Sequence, residues 1–174
     1  SRPDFLAESI HSVLKQSYRD IELIVVNDGG SKDCEGIIRE IGSEKIRYIR
    51  IEHGGLSAAL NAGILHSRGE YIAYIDDDDI YYPDHLETLI THMSQTRDAN
   101  VVFSHAYKAT QVRDGEGWRI TKRELVNRTD FDRKKLLKGN RLPVLSILHR
   151  KETIENTGYF NERLETAMDW EMWI

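Results

Sequence analysis

The sequence predicts an α/β fold in which helices cover both faces of a mainly parallel sheet. Helix-type and strand-type patterns alternate along roughly the first 98 residues, in the order α-β-α-β-α-β-α. Such alternation requires crossover connections, which are right-handed in nearly all sheets and place parallel strands side by side. From about residue 99 two strand-type segments follow each other without a helix between them, so the second half is predicted to extend the same fold with antiparallel strands.

The first half is assigned from the spacing of its apolar residues. These recur at intervals of three and four between Phe5 and Leu14, as on one face of a helix. Segment 21–26 is almost continuously apolar and β-branched, which is typical of a strand covered on both faces. The predicted elements are helix 3–16, strand 21–26, helix 32–41, strand 46–51, helix 56–65, strand 71–75 and a helix that begins at Pro83.

The second half is assigned from a hairpin pattern and a run of shorter elements. Asp114-Gly115 lies in a polar connector between two strand-type segments. The predicted elements are strands 101–107 and 118–126 joined through 113–117, a charged helix 130–138, strand 142–148, helix 152–157 and a terminal helical pattern. No repeat or shift in composition marks a second domain, so one domain is expected over 1–174, with its halves meeting near 98 and 99.

Composition limits the classes of function. The 174 residues carry a formal net charge of −5, so no basic excess favours nucleic-acid binding. A single cysteine, Cys34, excludes an intrachain disulfide and a multi-cysteine zinc site. No apolar segment approaches the ~20 residues that span a bilayer. We therefore expect a cytoplasmic domain, with any membrane association arising outside this sequence, and both ends resemble elements cut from a longer protein.

Four consecutive carboxylates, Asp76 to Asp79, directly follow the strand-type segment 71–75. Acids this close either raise one another's pKa or hold a cation, and Mg²⁺ and Mn²⁺ prefer oxygen ligands. Sites in open α/β sheets lie at the carboxyl ends of strands, which favours a metal site here. A solvated acidic turn is the alternative, and the residues alone leave both interpretations open.

Two further polar segments accompany the acids. The sequence Asn27-Asp28-Gly29-Gly30-Ser31 follows the first predicted strand, and segment 165–171 contains Asp169 near the end of the chain. Spacing alone favours Asp169 on the solvent face of a terminal helix, with Trp170 and Trp173 on its core face. The three segments together indicate a nucleotide site with a metal ion and a separate carboxylate.

Six motifs follow one another in an order found in a known family. They are Arg2 to Tyr18 against "RPDFLxEslxSVLxQsY", 24–31 against "iVVDDGS", 54–63 against "GGxsxARNxG", 69–72 leading into the acids, 83–86, and 168–171 against "EDWD". Through these motifs the chain resembles the family-2 inverting glycosyltransferases of the GT-A fold. The resemblance implies a Rossmann-like sheet and transfer of a sugar from a nucleotide-diphosphate sugar, favoured to be a UDP-sugar, to a glycan or other hydroxyl acceptor in polysaccharide biosynthesis.

The resemblance also implies roles for the residues that would bind the donor. Asp28 corresponds to the carboxylate that recognises the nucleoside, and Asp77 to a ribose contact. Asp76 and Asp78 correspond to the Asp-x-Asp pair, with Asp78 as the direct ligand of Mn²⁺ or Mg²⁺ and Asp76 supporting both metal and donor. Asn61 falls in the "ARN" motif and is assigned to nucleotide-sugar binding, although an ordinary packing or surface role is equally compatible with its sequence.

Asp169 corresponds to the family's general base, which would remove the proton of the acceptor hydroxyl. Three positions depart from the family pattern: Leu60 replaces the arginine of "ARN", Met168 replaces the acid before the base, and Asn27 replaces the first acid of "DDGS". The strand that precedes the family's first helix has no counterpart in this sequence. None of these departures removes a carboxylate that the resemblance assigns to the site.

Two other classes of function remain open. A nucleotidyl- or phosphoryl-transferase would use the same acidic cluster, although the chain lacks the Gly-Lys-Ser/Thr signature of a P-loop. A non-catalytic nucleotide- or glycan-binding module would retain the cleft without the chemistry, and the loss of a cation at Leu60 is compatible with such a module.

Overall fold

The computed structural model describes residues 3–30, 34–115, 117–126 and 130–174, and it confirms the α/β fold with parallel and antiparallel strands. The helices are α1 (Pro3–Leu14), α2 (Cys34–Ile41), α3 (Leu56–His66), α4 (His85–Gln95), α5 (Arg133–Leu136), α6 (Lys151–Thr157) and α7 (Met168–Trp173). The strands are β1 (Leu23–Asp28), β2 (Ile46–Ile51), β3 (Tyr71–Ala73), β4 (Val101–Phe103), β5 (Ala106–Asp114), β6 (Gly117–Val126) and β7 (Ile147–Arg150). Arg2, Ser31, Lys32 and Glu116, which belong to predicted motifs or elements, lie outside the described residues.

Strands β1 and β2 form the parallel part of the fold. They pair in register from Leu23 opposite Ile46 to Asp28 opposite Ile51. Helices α1 and α2 pack on this pair through an apolar cluster that includes the buried Cys34. Because α2 is the crossover between two parallel strands, both strands end at the same edge of the sheet. Asp28, the last residue of β1, therefore lies where parallel sheets place their functional groups.

The other core strands are antiparallel. β7 lies between β3 and β4 and pairs with both. Ile147, Leu148 and His149 of β7 are fully buried, since Leu148 packs against α4 on one face and Ile147 packs against Leu136 and Leu142. The predicted strand 142–148 begins later than expected, since a short 3₁₀ helix, Val144–Ser146, precedes β7.

Strands β5 and β6 form the predicted hairpin, which is longer than expected. The predicted strand 101–107 is divided into β4, which pairs with β7, and β5, which pairs with β6. The hairpin extends over α1, and the Trp118 ring lies 5.3 Å from that of Phe5. None of the described helices has the length and apolar character needed to cross a membrane.

A cleft of about 1120 Å³ separates β1 from β3. Among the described residues, β1 pairs with β2 and β3 pairs with β7, but β1 and β3 do not pair with each other. The apolar side chains of β1 are consequently only partly buried, whereas their sequence predicts a strand covered on both faces. This difference arises because one edge of β1 opens into the cleft, which we call the β1–β3 cleft.

Candidate active site

Four of the predicted site residues follow the ends of β1 and β3. Asp28 ends β1, and Asp76, Asp77 and Asp78 follow shortly after β3. All four line the β1–β3 cleft. Leu60 of α3 lines it as well, at the position where the family resemblance implies an arginine. The cleft therefore combines a carboxylate-rich rim with a largely apolar wall.

The Asp28 carboxylate is held by the loop that precedes α3. Its Oδ1 accepts a hydrogen bond from Gly54 N–H (2.7 Å), and its Oδ2 accepts one from Gly55 N–H (2.9 Å). The Nδ1 atom of His53 lies 3.0 Å from Oδ2. Gly29 permits this close approach, since its φ is +67° and a Cβ there would lie 2.7 Å from the Cβ of His53. Backbone groups thus fix the position of the carboxylate at the cleft.

The consecutive acids after β3 repel one another. Burial, together with the charges of Asp78, Asp77 and Asp169, raises the pKa of Asp76. Burial and the charges of Asp76, Asp78 and Asp77 raise the pKa of Asp79 to about 6. Like charges that are partly withdrawn from water disfavour ionisation, and a cation among them would favour it.

Asp76 and Asp78 suit a metal ion whose remaining ligands come from a bound substrate. Within the described ranges, no group of three or more His, Cys, Asp or Glu residues is arranged to hold an ion by itself. Mg²⁺ and Mn²⁺ are commonly bound by one or two carboxylates, with substrate phosphates completing the shell. Asp76 and Asp78, which line the same cleft, fit that kind of donor set.

Asp169 lies on α7, close enough to the acids for its charge to raise the pKa of Asp76. Its Oδ2 accepts a hydrogen bond from Asn140 Nδ2 (2.6 Å), and its Oδ1 accepts one from Trp170 N–H (2.8 Å). Sequence analysis did not predict the contact with Asn140, which lies in no recognisable motif. A pairing between residues 29 apart in a chain leaves no local signal in the sequence.

Helix α7 is attached to the core through its tryptophans. The indole Nε1–H of Trp170 donates to Leu136 O (2.6 Å). The Trp173 ring lies 6.4 Å from that of Tyr74 and 6.0 Å from that of Phe160. Both tryptophans therefore pack against other residues, as their spacing predicts, and Asp169 projects from a helix anchored on its opposite side.

Asn61 does not line the β1–β3 cleft. Its buried Nδ2 donates to Phe160 O (2.9 Å) and to Glu162 Oε1 (2.8 Å), and its Oδ1 accepts a hydrogen bond from Phe160 N–H (2.9 Å). These bonds join α3 to the segment that leads into α7. The structure thus gathers Asp28 and Asp76 to Asp78 at one cleft, brings Asp169 near them, and places Asn61 in the scaffold that connects α3 to α7.

The mixed arrangement of parallel and antiparallel strands with helices is that of the GT-A fold. The solved structure of Staphylococcus aureus TarS matches it with a TM-score of 0.68 at 16% identity, covering 95% of this chain and 49% of that one. A mannosyltransferase from Pyrobaculum calidifontis matches with a TM-score of 0.67 at 15% identity, covering 94% of this chain and 46% of that one.

Sequence comparison identifies the family. The family model described as Glycosyl transferase family 2 matches residues 1–154, and the chain belongs to this family. An uncharacterised glycosyltransferase of Rickettsia conorii is 34% identical over 176 residues, covering 98% of this chain and 28% of that protein. Another, from Methanocaldococcus jannaschii, is 31% identical over 175 residues, covering 98% of this chain and 59% of that protein. The chain therefore spans less than two thirds of these relatives.

Proposed function

We propose that the protein is an inverting glycosyltransferase that moves a sugar from a nucleotide-diphosphate sugar to an acceptor hydroxyl with the assistance of a metal ion. The observation that carries the proposal is that Asp28, Asp76 and Asp78 follow the ends of β1 and β3 and line one cleft, with Asp169 near enough for its charge to act on Asp76. Donor-binding carboxylates and a separate base are the groups that this reaction requires.

The donor would bind at the rim of the β1–β3 cleft, where the carboxyl ends of β1 and β3 lie. Asp28, at the end of β1, would accept hydrogen bonds from the nucleoside, and Asp77 would contact the ribose. Asp78 and Asp76 would hold Mn²⁺ or Mg²⁺. When bound, the ion neutralises the negative charge that develops on the leaving diphosphate. Burial and the charges of neighbouring carboxylates raise the pKa of Asp76, and a cation among these carboxylates would favour their ionised form.

Asp169 would act as the general base. Its carboxylate would take the proton of the acceptor hydroxyl as that oxygen forms a bond to the anomeric carbon. The bond from the anomeric carbon to the diphosphate breaks on the opposite face, which inverts the configuration. Such proton transfer typically contributes ~10²–10⁴-fold to the rate.

Two solved structures support the choice of donor class. A structure of Staphylococcus aureus TarS that matches this chain with a TM-score of 0.64 at 17% identity contains UDP. The Pyrobaculum calidifontis mannosyltransferase was solved with GDP-Man and Mn²⁺. We propose a UDP-sugar as the donor and a glycan or another hydroxyl compound as the acceptor.

Turnover of defined nucleotide sugars tests the proposal. UDP-glucose, UDP-N-acetylglucosamine and GDP-mannose would be incubated with Mn²⁺, with water alone and with a mixture of oligosaccharide acceptors, and release of the free nucleotide diphosphate would be measured. We expect Asp169→Asn to lower turnover by ~10²–10⁴-fold while nucleotide binding persists. Cleavage at the α-phosphate would instead identify a nucleotidyl- or phosphoryl-transferase. Binding without turnover in the unsubstituted protein would identify a non-catalytic module.

A further inference from the structure

The Asp169 carboxylate is fixed by hydrogen bonds to both of its oxygens. Trp170 N–H, which binds Oδ1 at 2.8 Å, belongs to the same helix and moves with it. The Asn140 amide, which binds Oδ2 at 2.6 Å, comes from the segment after α5 and ties the carboxylate to the rest of the protein. Each carboxylate oxygen can accept more than one hydrogen bond, so both can still receive a hydroxyl proton.

A second hydrogen bond determines the orientation of the Asn140 amide. Its Oδ1 accepts a hydrogen bond from Leu142 N–H (3.0 Å). A flipped amide would place Oδ1 against the Asp169 carboxylate and the NH₂ group against Leu142 N–H, so that both contacts would become repulsive. Leu142 is buried in an apolar cluster with Leu136 and Ile147, which gives the amide a firm support.

Helix α7 needs such support because it is short and superficial. It contains six residues, and none of the six, all of them described, is buried. An aspartate on a helix of this kind can rotate about two single bonds unless its carboxylate is held. Hydrogen bonds to a charged acceptor are stronger than those between neutral groups, so one amide can select a single orientation.

We propose that Asn140 is a positioning residue that holds the Asp169 carboxylate in the orientation in which it removes the acceptor proton. The inference rests on the proposed function, in which Asp169 is the base. Asparagine suits this task, because its amide donates a hydrogen bond to the carboxylate and does not compete with it for the proton. A displacement of about 1 Å in a reacting group can cost ~10²-fold in rate.

Nuclear magnetic resonance tests the contact itself, with or without turnover. The side-chain NH₂ signal of Asn140 in ¹⁵N-labelled protein is identified by its loss in Asn140→Ala. Asn140 is exposed, so we expect its amide to exchange measurably more slowly in the unsubstituted protein than in Asp169→Ala. The NH₂ signal of Asn156, an exposed residue of α6, serves as the control and should not change. Equal exchange of the Asn140 group in the two proteins overturns the proposal.

A double-mutant cycle tests what the contact does in the reaction. Using the nucleotide sugar that gives turnover, we expect Asn140→Ala to lower kcat about tenfold and to leave the KM for the donor unchanged. Asn140→Asp, which sets a second carboxylate against Asp169, should lower kcat at least as much. In Asp169→Asn the further substitution Asn140→Ala should have no additional effect, because a positioning residue acts only through the group that it positions.

The outcomes separate this inference from the proposed function. The role of Asn140 would be overturned if the losses of kcat from Asn140→Ala and Asp169→Asn multiplied in the double variant. It would also be overturned if Asn140→Ala raised the KM for the donor without lowering kcat. Either result would leave Asp169 as the base. Absence of turnover with every nucleotide sugar would overturn the proposed function, and the catalytic role of Asn140 with it. Asn156→Asp, which adds the same charge on α6, is the control for non-specific electrostatic effects.

Discussion

The carboxylates of the β1–β3 cleft and the carboxylate of Asp169 are held by different means. Asp28 is bound by the backbone N–H groups of Gly54 and Gly55, at the end of a paired strand. Asp169 is bound through the side chain of Asn140, on a helix that has no buried residue. The first position follows from the packing of the sheet, whereas the second depends on a few contacts between distant side chains.

The difference between these two regions suggests how they could serve one reaction. A donor that carries a nucleotide and a metal ion needs a rigid recess, and the ends of strands provide one. In the proposed reaction the base would meet the acceptor hydroxyl from a small helix that lies outside the sheet. The contacts of Asn61 with Phe160 join the two regions, because they connect α3 beside the cleft to the segment before α7.

Substituting Asn61 should have the largest effect on stability. Asn61→Ala leaves the buried N–H and C=O groups of Phe160 without their partner, and we expect a loss of about 3 kcal/mol in the free energy of unfolding. Urea denaturation measures this loss. Asn156→Ala, at an exposed position of α6, should change the free energy by less than about 0.5 kcal/mol. A similarly small effect at Asn61 would mean that the two regions are not joined through this residue.

Removing the Asp28 carboxylate tests how firmly the cleft is built. Asp28→Ala leaves the N–H groups of Gly54 and Gly55 without their acceptor, and water can replace it only in part. We expect a loss of about 1.5 kcal/mol, measured by urea denaturation in the absence of nucleotide. Glu52→Ala, at an exposed position next to the same loop, is the matched control. An unchanged free energy with impaired nucleotide binding would show that Asp28 serves the ligand alone.

Neutralising Asp79 should have the smallest effect, and should stabilise the protein. Its pKa is raised from 3.8 to about 6, so the folded state holds the proton more strongly than the unfolded state between these values. The stability this provides is present at low pH and is lost as the pH rises through about 6. Asp79→Asn should therefore raise the free energy of unfolding at neutral pH by about 1 kcal/mol, allowing for solvent screening.

Urea denaturation across a pH series in EDTA checks this prediction. The gain from Asp79→Asn should shrink as the pH falls and should vanish where the carboxyl is protonated in both states. Asp20→Asn, at an exposed position, is the control and should show no comparable trend. A gain that does not depend on pH would contradict the repulsion inferred among the acids.

The sequence predicts the cleft region better than the region around α7. Apolar periodicity identifies the elements up to α4, and the end of β1 at Asp28 follows from its run of β-branched residues. The position of β7 between β3 and β4 is not predicted, because strand pairing over such a separation has no local pattern. The single predicted strand over 101–107 likewise could not reveal the break after Phe103, because the segments on its two sides pair with different strands, β7 and β6.

The candidate site shows the same division. Asp28 and the acids after β3 could be proposed because each follows a strand, and strand ends meet at one edge of a sheet. Asp169 could be proposed only through the family resemblance, since its spacing favours a solvent-facing position. Asn140 has no sequence signal, because its role is defined by a partner 29 residues away.

The binding of nucleotide diphosphates tests the central claim most directly. Thermal unfolding would be followed with UDP, GDP and dTDP, each with and without Mn²⁺, in the unsubstituted protein and in Asp78→Ala. We expect one nucleotide, with UDP favoured, to raise Tm, because a ligand that binds only the folded state stabilises it. Addition of Mn²⁺ should raise Tm further. This additional rise should be absent in Asp78→Ala. No rise in Tm with any nucleotide, or an Mn²⁺ effect unchanged in Asp78→Ala, would contradict the assignment of the β1–β3 cleft as the donor site.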